Sequence, residues 1–253
     1  MRIAVAGGTG VVGRHVVEVA RARGHDVVVL SRAHGVDLVA GTGPDGPLAP
    51  VLDGVDAVVD VASTPTVSAK ASRAFFGAVT GHLLAAEHAA GVAHHVALSI
   101  VGVDRAPHAY YAGKVLQEQL VVDGGVPWTL LRATQFHEFA AQVHGQTRVG
   151  PLVVVPRMTS QPVAAREVGE RLVDLAEEDP AGRVPDLGGP REEQVVDMVR
   201  AYAAATRARG RIVGLRVPGA YGRAMRDGTL VPGPGADHGV QTYDAWLRAT
   251  YVG

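Results

Sequence analysis

The chain has 253 residues, of which 47% are hydrophobic, and a formal net charge of −1. This length suits one large α/β domain with a sizeable core, while the near-neutral charge argues against a nucleic-acid partner or a polybasic membrane patch. The lack of cysteine excludes disulfides, thiolate catalysis and cysteine metal sites. The apolar run before Gly7 is too short for a signal peptide, and no apolar stretch reaches the length of about 20 residues that spans a bilayer. We therefore expect a cytoplasmic protein.

Strand and helix patterns alternate through the first half of the chain. Apolar and helical spacing predicts strands over 2–6, 26–30, 56–61, 95–99 and 128–133 and helices over 11–23, 70–90 and 110–123. The Gly- and Pro-rich segment 36–50 is expected to be a short strand or loop with little regular helix. Near-continuous apolar strands separated by helices indicate a parallel sheet covered on both faces. With right-handed crossovers this is a doubly wound Rossmann fold.

The alternation of strand and helix patterns becomes less regular in the second half of the chain. The sequence predicts helices over 136–143, 166–178 and 192–207, extended segments over 152–155 and 211–216, and mostly loop over 218–239. We interpret 1–253 as one domain, with a Rossmann core of about 1–135. The smaller C-terminal portion, about 136–253, is expected to pack at the sheet edge and cover the substrate.

A glycine-rich turn follows the first strand, with glycines at Gly7, Gly10 and Gly13. A glycine at the strand end permits a tight turn, the next lets backbone N–H groups approach a pyrophosphate, and the third lets helix and strand pack closely. The helix that follows directs its partial positive charge at the phosphates. A strand before the turn and a helix after it favour dinucleotide binding over a purely structural turn.

Ser31 and Arg32 stand at the end of the second strand, where an NAD site usually has a carboxylate for the ribose hydroxyls. Arg32 can instead pair with a 2′-phosphate, to which Ser31 can donate a hydrogen bond. The sequence thus favours NADP(H), with NAD(H) possible. The alternative is that Arg32 is an ordinary surface arginine.

Tyr110 and Lys114 form a Tyr-x-x-x-Lys pattern, and positions four apart share one face of a helix. A free phenol has a pKa near 10, too high for efficient acid–base work near neutrality. A lysine cation nearby favours the phenolate and is expected to lower that pKa. Only two lysines occur in the chain, which makes the pattern more specific. The alternative is a surface tyrosine stacked on a lysine stem.

Further polar residues follow the later strands. Ser99 ends the fifth predicted strand and is expected to face the cofactor crevice, where it either bonds a carbonyl, holds the catalytic face together or caps the strand. Tyr111 on the next helix and Gln135, Phe136 and His137 after the sixth strand are candidates for the substrate pocket. The histidines show no metal-ligand spacing, so no metal is expected. His94-His95 reads as a surface pair before a strand.

Several segments together resemble the atypical short-chain dehydrogenase/reductases, and most of all their NmrA-like or NAD(P)H-binding branch. They include GGTGVVG at the first turn, VDAVVDVAS, HHVALSIVGVD, YYAGK, VPWTLLRATQFHEF and QPVAAREVGERL. The resemblance covers nearly the whole chain.

The resemblance implies a role for each matching position. Gly7, Thr9, Gly10, Val11 and Val12 would wrap the pyrophosphate, and Ser31 and Arg32 would hold the adenosine 2′-phosphate. Lys114 would bond the nicotinamide ribose, and Tyr110 would protonate a carbonyl oxygen as hydride arrives. The remaining cofactor contacts would come from Val61, Ala62, Ser63, Ala133 and Phe136.

Two departures from the family pattern keep alternatives open. Ile100 and Val101 stand where relatives place a second hydroxyl, and His82 stands near the position of an asparagine in a proton relay. We expect an NADPH-dependent oxidoreductase that reduces a carbonyl or activated double bond of a small metabolite. The alternatives are a non-catalytic NADP(H)-binding redox sensor and a nucleotide-sugar epimerase or reductase. The oligomeric state stays open.

Overall fold

A computed structural model describes residues 1–252 and gives eight α-helices and fifteen strands over that range. The strands are β1 (Arg2–Ala6), β2 (Asp26–Leu30), β3 (Thr42–Gly43), β4 (Gly46–Pro47), β5 (Ala57–Asp60), β6 (His94–Ile100), β7 (Trp128–Ala133), β8 (Arg148–Val149), β9 (Leu152–Pro156), β10 (Thr159–Ser160), β11 (Gly182–Arg183), β12 (Leu187–Gly188), β13 (Glu193–Gln194), β14 (Arg211–Leu215) and β15 (Asp237–His238). The helices are α1 (Gly13–Ala22), α2 (Ala69–Ala90), α3 (Tyr111–Asp123), α4 (Phe139–Gln146), α5 (Ala165–Glu177), α6 (Val195–Thr206), α7 (Gly219–Ala224) and α8 (Tyr243–Tyr251).

Eight of these strands form one central sheet. Seven follow the order β15-β12-β7-β6-β5-β1-β2, and β11 pairs with β7 beside that path. Every pairing in this sheet is parallel. The first strand lies one position in from the β2 edge, with Ile3 opposite both Val27 of β2 and Ala57 of β5. The predicted doubly wound Rossmann fold is confirmed.

Alternation along β1 decides which helices cover which face. Ile3 and Val5 belong to a core shared with α1 and α5, whereas Ala4 and Ala6 belong to a core shared with α2. All four side chains are fully buried. A strand buried on both faces must be apolar at every position, which is why it reads as a continuous hydrophobic run.

The C-terminal portion contributes strands to the central sheet itself. Gly182 of β11 lies opposite Thr129, and Leu187 of β12 lies opposite both Ala133 and Asp237. The rest of that portion builds a separate core from α4, α6, α8 and the sheet β14-β9-β8. Residue 135 therefore divides the chain in sequence only. Helix α5 and the strands β11, β12 and β15 lie beyond it in sequence and complete the Rossmann sheet and its helical layer.

The segment expected to be mostly loop, 218–239, contains the short helix α7 and the strand β15, and the rest of it is loop. Helix α8, which follows it, was not predicted. The surface position expected for two histidines is wrong. The pair His94 and His95 is not a surface pair but lies inside β6, with 4% and 0% exposure. His95 Nδ1 lies 2.8 Å from a carboxylate oxygen of the fully buried Glu87. Burial disfavours a charged imidazole, but Glu87 outweighs it and raises the pKa of His95.

No helix within residues 1–252 is long and apolar enough to cross a lipid bilayer.

Helices α2 and α3 touch closely where Gly113 faces Ser72. A Cβ at residue 113 would lie 2.2 Å from Ser72 Oγ and 2.5 Å from its carbonyl oxygen. Ser72 is fully buried, and its hydroxyl donates to the carbonyl of Tyr110 at 2.6 Å. This contact fixes the start of α3 relative to α2.

We expect Gly113→Ala to lower the free energy of unfolding by about 2 kcal/mol or more, because the added methyl overlaps backbone as well as a side chain. Gly81→Ala in α2 is the matched control, since its Cβ meets no atom within 4 Å and alanine favours a helix by roughly 0.5–1 kcal/mol over glycine. Urea unfolding of both variants checks this. If the two variants change the free energy of unfolding by the same amount in the same direction, the close contact between Gly113 and Ser72 does not contribute.

Candidate functional site

The glycine turn after β1 is built by close backbone contacts. Gly7 has φ 79°, and a Cβ there would lie 2.9 Å from Ala62 Cα. A Cβ at Gly13 would lie 2.2 Å from the carbonyl oxygen of Gly7. Both distances are far below van der Waals contact, so these two positions require glycine. The turn therefore holds the start of α1 directly against the end of β1.

This turn leaves several backbone donors free. Within residues 1–252, the N–H groups of Thr9, Val11, Val12 and Gly13 donate to no backbone carbonyl, and α1 has no side-chain cap. They stand at the positive end of the helix dipole. A Cβ at Gly10 would meet only the Gly7 carbonyl, at 3.2 Å, so the space above the turn is open to a ligand. A pyrophosphate fits this arrangement of donors.

Ser31 and Arg32 lie at the carboxyl end of β2, in the neighbouring position along the sheet. Arg32 is exposed and opens a single 3₁₀ turn, Arg32–His34. Ser31 Oγ is hydrogen bonded to Nδ1 of His34 at 2.8 Å. His34 is a third polar side chain at this end of the sheet that sequence reasoning missed. Its spacing of three residues from Ser31 was the available signal.

Tyr110 lies immediately before α3, and its phenol oxygen is 2.9 Å from Ser63 Oγ, which follows β5. Its ring packs edge-on against Phe76 with a centroid separation of 5.5 Å. The preceding residue, Ala109, has φ 51°, in the left-handed region that non-glycine residues rarely adopt. The Ser63 contact was not predicted, since Ser63 was expected at a ribose.

Burial raises the pKa of Tyr110 to about 12, and the bond from Ser63 offsets only part of this. The expected lowering of this pKa by Lys114 is wrong. Residues four apart share a helix face, but Tyr110 lies before the first turn of α3 and the lysine side chain turns toward β6. The phenol thus keeps its proton throughout the neutral range.

Lys114 is 4% exposed and its ammonium is held by the protein interior. Nζ donates to the carbonyl of Leu98 at 2.5 Å and to the side-chain oxygen of Gln117. It also lies 4.7 Å from the centroid of the Phe76 ring. Gln117 Nε2 in turn donates to Asp60 Oδ2 at 2.7 Å. Burial lowers the pKa of Lys114 to about 8.

Ser99 does not face the cofactor crevice, and that expectation is wrong. Strand alternation directs it toward α3, where its hydroxyl donates to Glu118 Oε1 at 2.5 Å. Arg132 of β7 binds both oxygens of Glu118, at 2.8 and 2.6 Å, and lies 3.0 Å from Asp104 in the loop after β6. This network ties β6, β7 and α3 to the loop that carries Tyr110.

Gln135 and His137, expected in the substrate pocket, make internal contacts. Gln135 Nε2 donates to Tyr111 Oη at 3.0 Å, and its Oε1 accepts from Ser160 at 2.6 Å. The Tyr111 phenol is itself buried. His137 is fully buried, with Nε2 3.0 Å from the carbonyl of Gln241. These side chains fix the loop after β7 to the C-terminal portion.

The other expected cofactor residues lie at the same edge of the sheet. Val61 and Ala62 follow β5, and the Ala62 N–H donates to Asp60 Oδ1 at 3.0 Å. Ala133 ends β7 and is buried, whereas Phe136 is half-buried. The two strand ends thus flank the glycine turn from the side away from β2.

A cavity of about 400 Å³ opens beside the glycine turn, between α1, the start of α5 and α8. Charged and aromatic side chains line it, among them Arg14, Glu138, Arg166, Trp246 and Tyr251. The aromatic wall comes from α8, which sequence reasoning did not predict.

The comparisons with known proteins agree with this geometry. A family model described as NAD(P)H-binding matches residues 7–179, more than half of the chain. The chain belongs to this NAD(P)H-binding family, and it binds NAD(P)H. No curated protein matches it in sequence.

Solved structures of the same fold include dehydrogenases, reductases and epimerases. A short-chain dehydrogenase/reductase superfamily protein from Agrobacterium tumefaciens with bound NAD has a TM-score of 0.68 at 20% identity, covering 100% of this chain and 96% of that one. An NADPH-dependent quinone oxidoreductase from Escherichia coli has a TM-score of 0.67 at 15% identity, covering 98% of each chain. The UDP-glucose 4-epimerase of Thermus thermophilus, in complex with NAD, has a TM-score of 0.66 at 18% identity, covering 99% and 93%. At these identities the likeness shows the fold alone.

We expect Glu118→Gln to lower the free energy of unfolding by about 3 kcal/mol, because it leaves the buried Arg132 charge without its bidentate partner. Glu170→Gln is the control, since that carboxylate pairs with Arg166 on an exposed helix face and such pairs contribute at most about 0.5 kcal/mol. Thermal and urea unfolding measure both. A loss at Glu118 no larger than at Glu170 would show that the network contributes little.

Proposed function

We propose that the protein is an NADPH-dependent reductase acting on a carbonyl or activated double bond of a small, largely apolar metabolite. The observation that carries this is the Ser63–Tyr110 hydrogen bond, which sets a protonated phenol at the sheet edge beside the glycine turn. In an open α/β sheet, ligands bind outside the carboxyl ends of the strands.

The cofactor-binding residues are assigned from the same edge. Gly7, Thr9, Gly10, Val11 and Val12 hold the pyrophosphate through the free N–H groups of the turn. Val61, Ala62, Ala133 and Phe136 line the nicotinamide side. We assign Lys114 to the nicotinamide ribose through the one ammonium proton that neither Leu98 nor Gln117 accepts. Arg32, with Ser31 and His34, gives the preference for NADP(H) over NAD(H), because a guanidinium pairs strongly with a phosphate dianion and no carboxylate stands there to repel it.

Reduction needs a hydride and a proton, and NADPH, once bound, would supply the hydride. Tyr110 donates its phenolic proton to the substrate oxygen as negative charge develops there. Ser63 then donates a hydrogen bond to the phenolate and passes on a replacement proton from solvent, since Ser63 is exposed. A phenol with a pKa of about 12 is still far more acidic than a protonated alkoxide, so the transfer runs toward product.

Replacement of Tyr110 by Phe is expected to reduce kcat about 100-fold or more, the size of a lost general acid, and to leave NADPH affinity nearly unchanged. The check is NADPH oxidation with a panel of quinones, enones and aldehydes, alongside binding by cofactor fluorescence. Tyr202→Phe in α6 is the matched control and should keep full activity. Undiminished turnover in Tyr110→Phe would remove this phenol from the mechanism.

The variant Arg32→Ala is expected to weaken NADPH binding about 10- to 100-fold, the effect of losing a charge-assisted hydrogen bond, while NADH binding stays the same. The prediction is checked by the ratio of the NADPH and NADH dissociation constants in the variant and in the wild type. Arg209→Ala, at an exposed position after α6, controls for net charge. If the affinities for NADPH and NADH fall by the same factor, Arg32 does not bind the 2′-phosphate.

A further inference from the structure

The ammonium of Lys114 is connected to a carboxylate through a single side chain. Lys114 donates to Gln117 Oε1, and Gln117 Nε2 donates to Asp60 Oδ2. Asp60, Gln117 and Lys114 are 0%, 1% and 4% exposed. The orientation of the Gln117 amide follows from chemistry, because an ammonium can only donate and an ionised carboxylate can only accept. We name these three residues the Asp60 relay.

Both oxygens of Asp60 have separate partners. Oδ2 accepts from Gln117 on α3, whereas Oδ1 accepts from the Ala62 N–H in the segment that leads to Ser63. One buried carboxylate thus joins the lysine on α3 to the strand-end segment that carries the hydroxyl partner of Tyr110. Burial of a carboxylate is costly unless it is well bonded, which argues that this position does more than fill space.

We propose that Asp60 and Gln117 are positioning residues that hold the Lys114 ammonium in place for the cofactor. The inference rests on the proposed role of Lys114 at the nicotinamide ribose. Gln117 acts as a neutral spacer. A direct Asp–Lys pair would draw the ammonium toward β5, whereas the relay fixes it with two acceptors, Gln117 and the Leu98 carbonyl. An ammonium has three donors, so one remains for a ribose hydroxyl.

The pKa of Lys114 depends on the charge of Asp60. Burial lowers its pKa to about 8, while the charges of Asp60 and then Glu118 act in the opposite direction. On the α2 side its ammonium lies 4.7 Å from the centroid of the Phe76 ring, and His95 of β6, on which the Asp60 charge also acts, is paired with Glu87. Removing the Asp60 charge therefore favours the neutral amine.

The test exchanges the two groups of the relay. Asp60→Asn removes the charge, and Gln117→Glu sets two buried carboxylates against each other. The double variant Asp60→Asn/Gln117→Glu restores one carboxylate and one amide, now with the carboxylate next to Lys114 and the amide donating to it. NADPH dissociation constants are measured on the full chain from pH 6 to 10, so the result does not depend on knowing the substrate.

We expect each single variant to weaken NADPH binding about 10-fold at pH 7, and the double variant to recover affinity to within about threefold of the wild type. In Asp60→Asn, the loss of affinity with rising pH should begin at a lower pH than in the wild type. A purely structural defect would not be repaired by exchanging the two groups. Thermal unfolding of all variants confirms that each is folded, and Gln142→Glu and Asp123→Asn at exposed positions control for charge.

Lys114→Met separates this inference from the function on which it rests. If Lys114→Met binds NADPH as the wild type does, the proposed role of Lys114 is wrong. If Lys114→Met binds weakly but folded Asp60→Asn and Gln117→Glu bind normally, the lysine acts without the relay and the positioning proposal is overturned. Weak binding by the folded double variant would overturn it as well.

Discussion

The contact between the Gly7 carbonyl and the backbone of Gly13 is the constraint around which this edge of the sheet is arranged. No side chain fits at either residue, so a tight turn of six residues is enough to join β1 to α1. That junction points the unpaired N–H groups of the turn at the place where phosphate charge is expected. It also brings the end of β1 against Ala62, so the turn and the segment after β5 share one surface.

Burial, more than the spacing of charges, sets the protonation of the candidate catalytic groups. It makes the Tyr110 phenol a weaker acid and the Lys114 ammonium a stronger one, so their pKa values, about 12 and about 8, move apart. Both groups touch Phe76, an apolar wall that keeps water from screening them. A buried phenol of this kind keeps its proton throughout the neutral range.

Helices and strands could be predicted from the spacing of apolar residues, whereas the direction in which individual polar side chains point could not. The strand over 128–133 and the helix over 70–90 depend on apolar spacing within one segment, and they were found nearly to the residue. Which way Lys114 and Ser99 point depends on α3 and β7, whose packing no local pattern reveals. The buried pair of His95 and Glu87 was missed because two polar residues in sequence read as surface. Helix α8 was missed because its short apolar stripe follows a long Gly- and Pro-rich stretch.

Strands from the last third of the chain complete the central sheet, and this has a consequence for how the protein is made. As synthesis proceeds from the N-terminus, α1 lacks its contacts with α5 until that helix leaves the ribosome, and β7 has no neighbour on its outer side until β11 and β12 follow. Parallel pairings between distant segments close slowly because a long loop must be ordered first. The nascent chain therefore carries an open strand edge until these strands are made, and exposed strand edges of this kind favour aggregation.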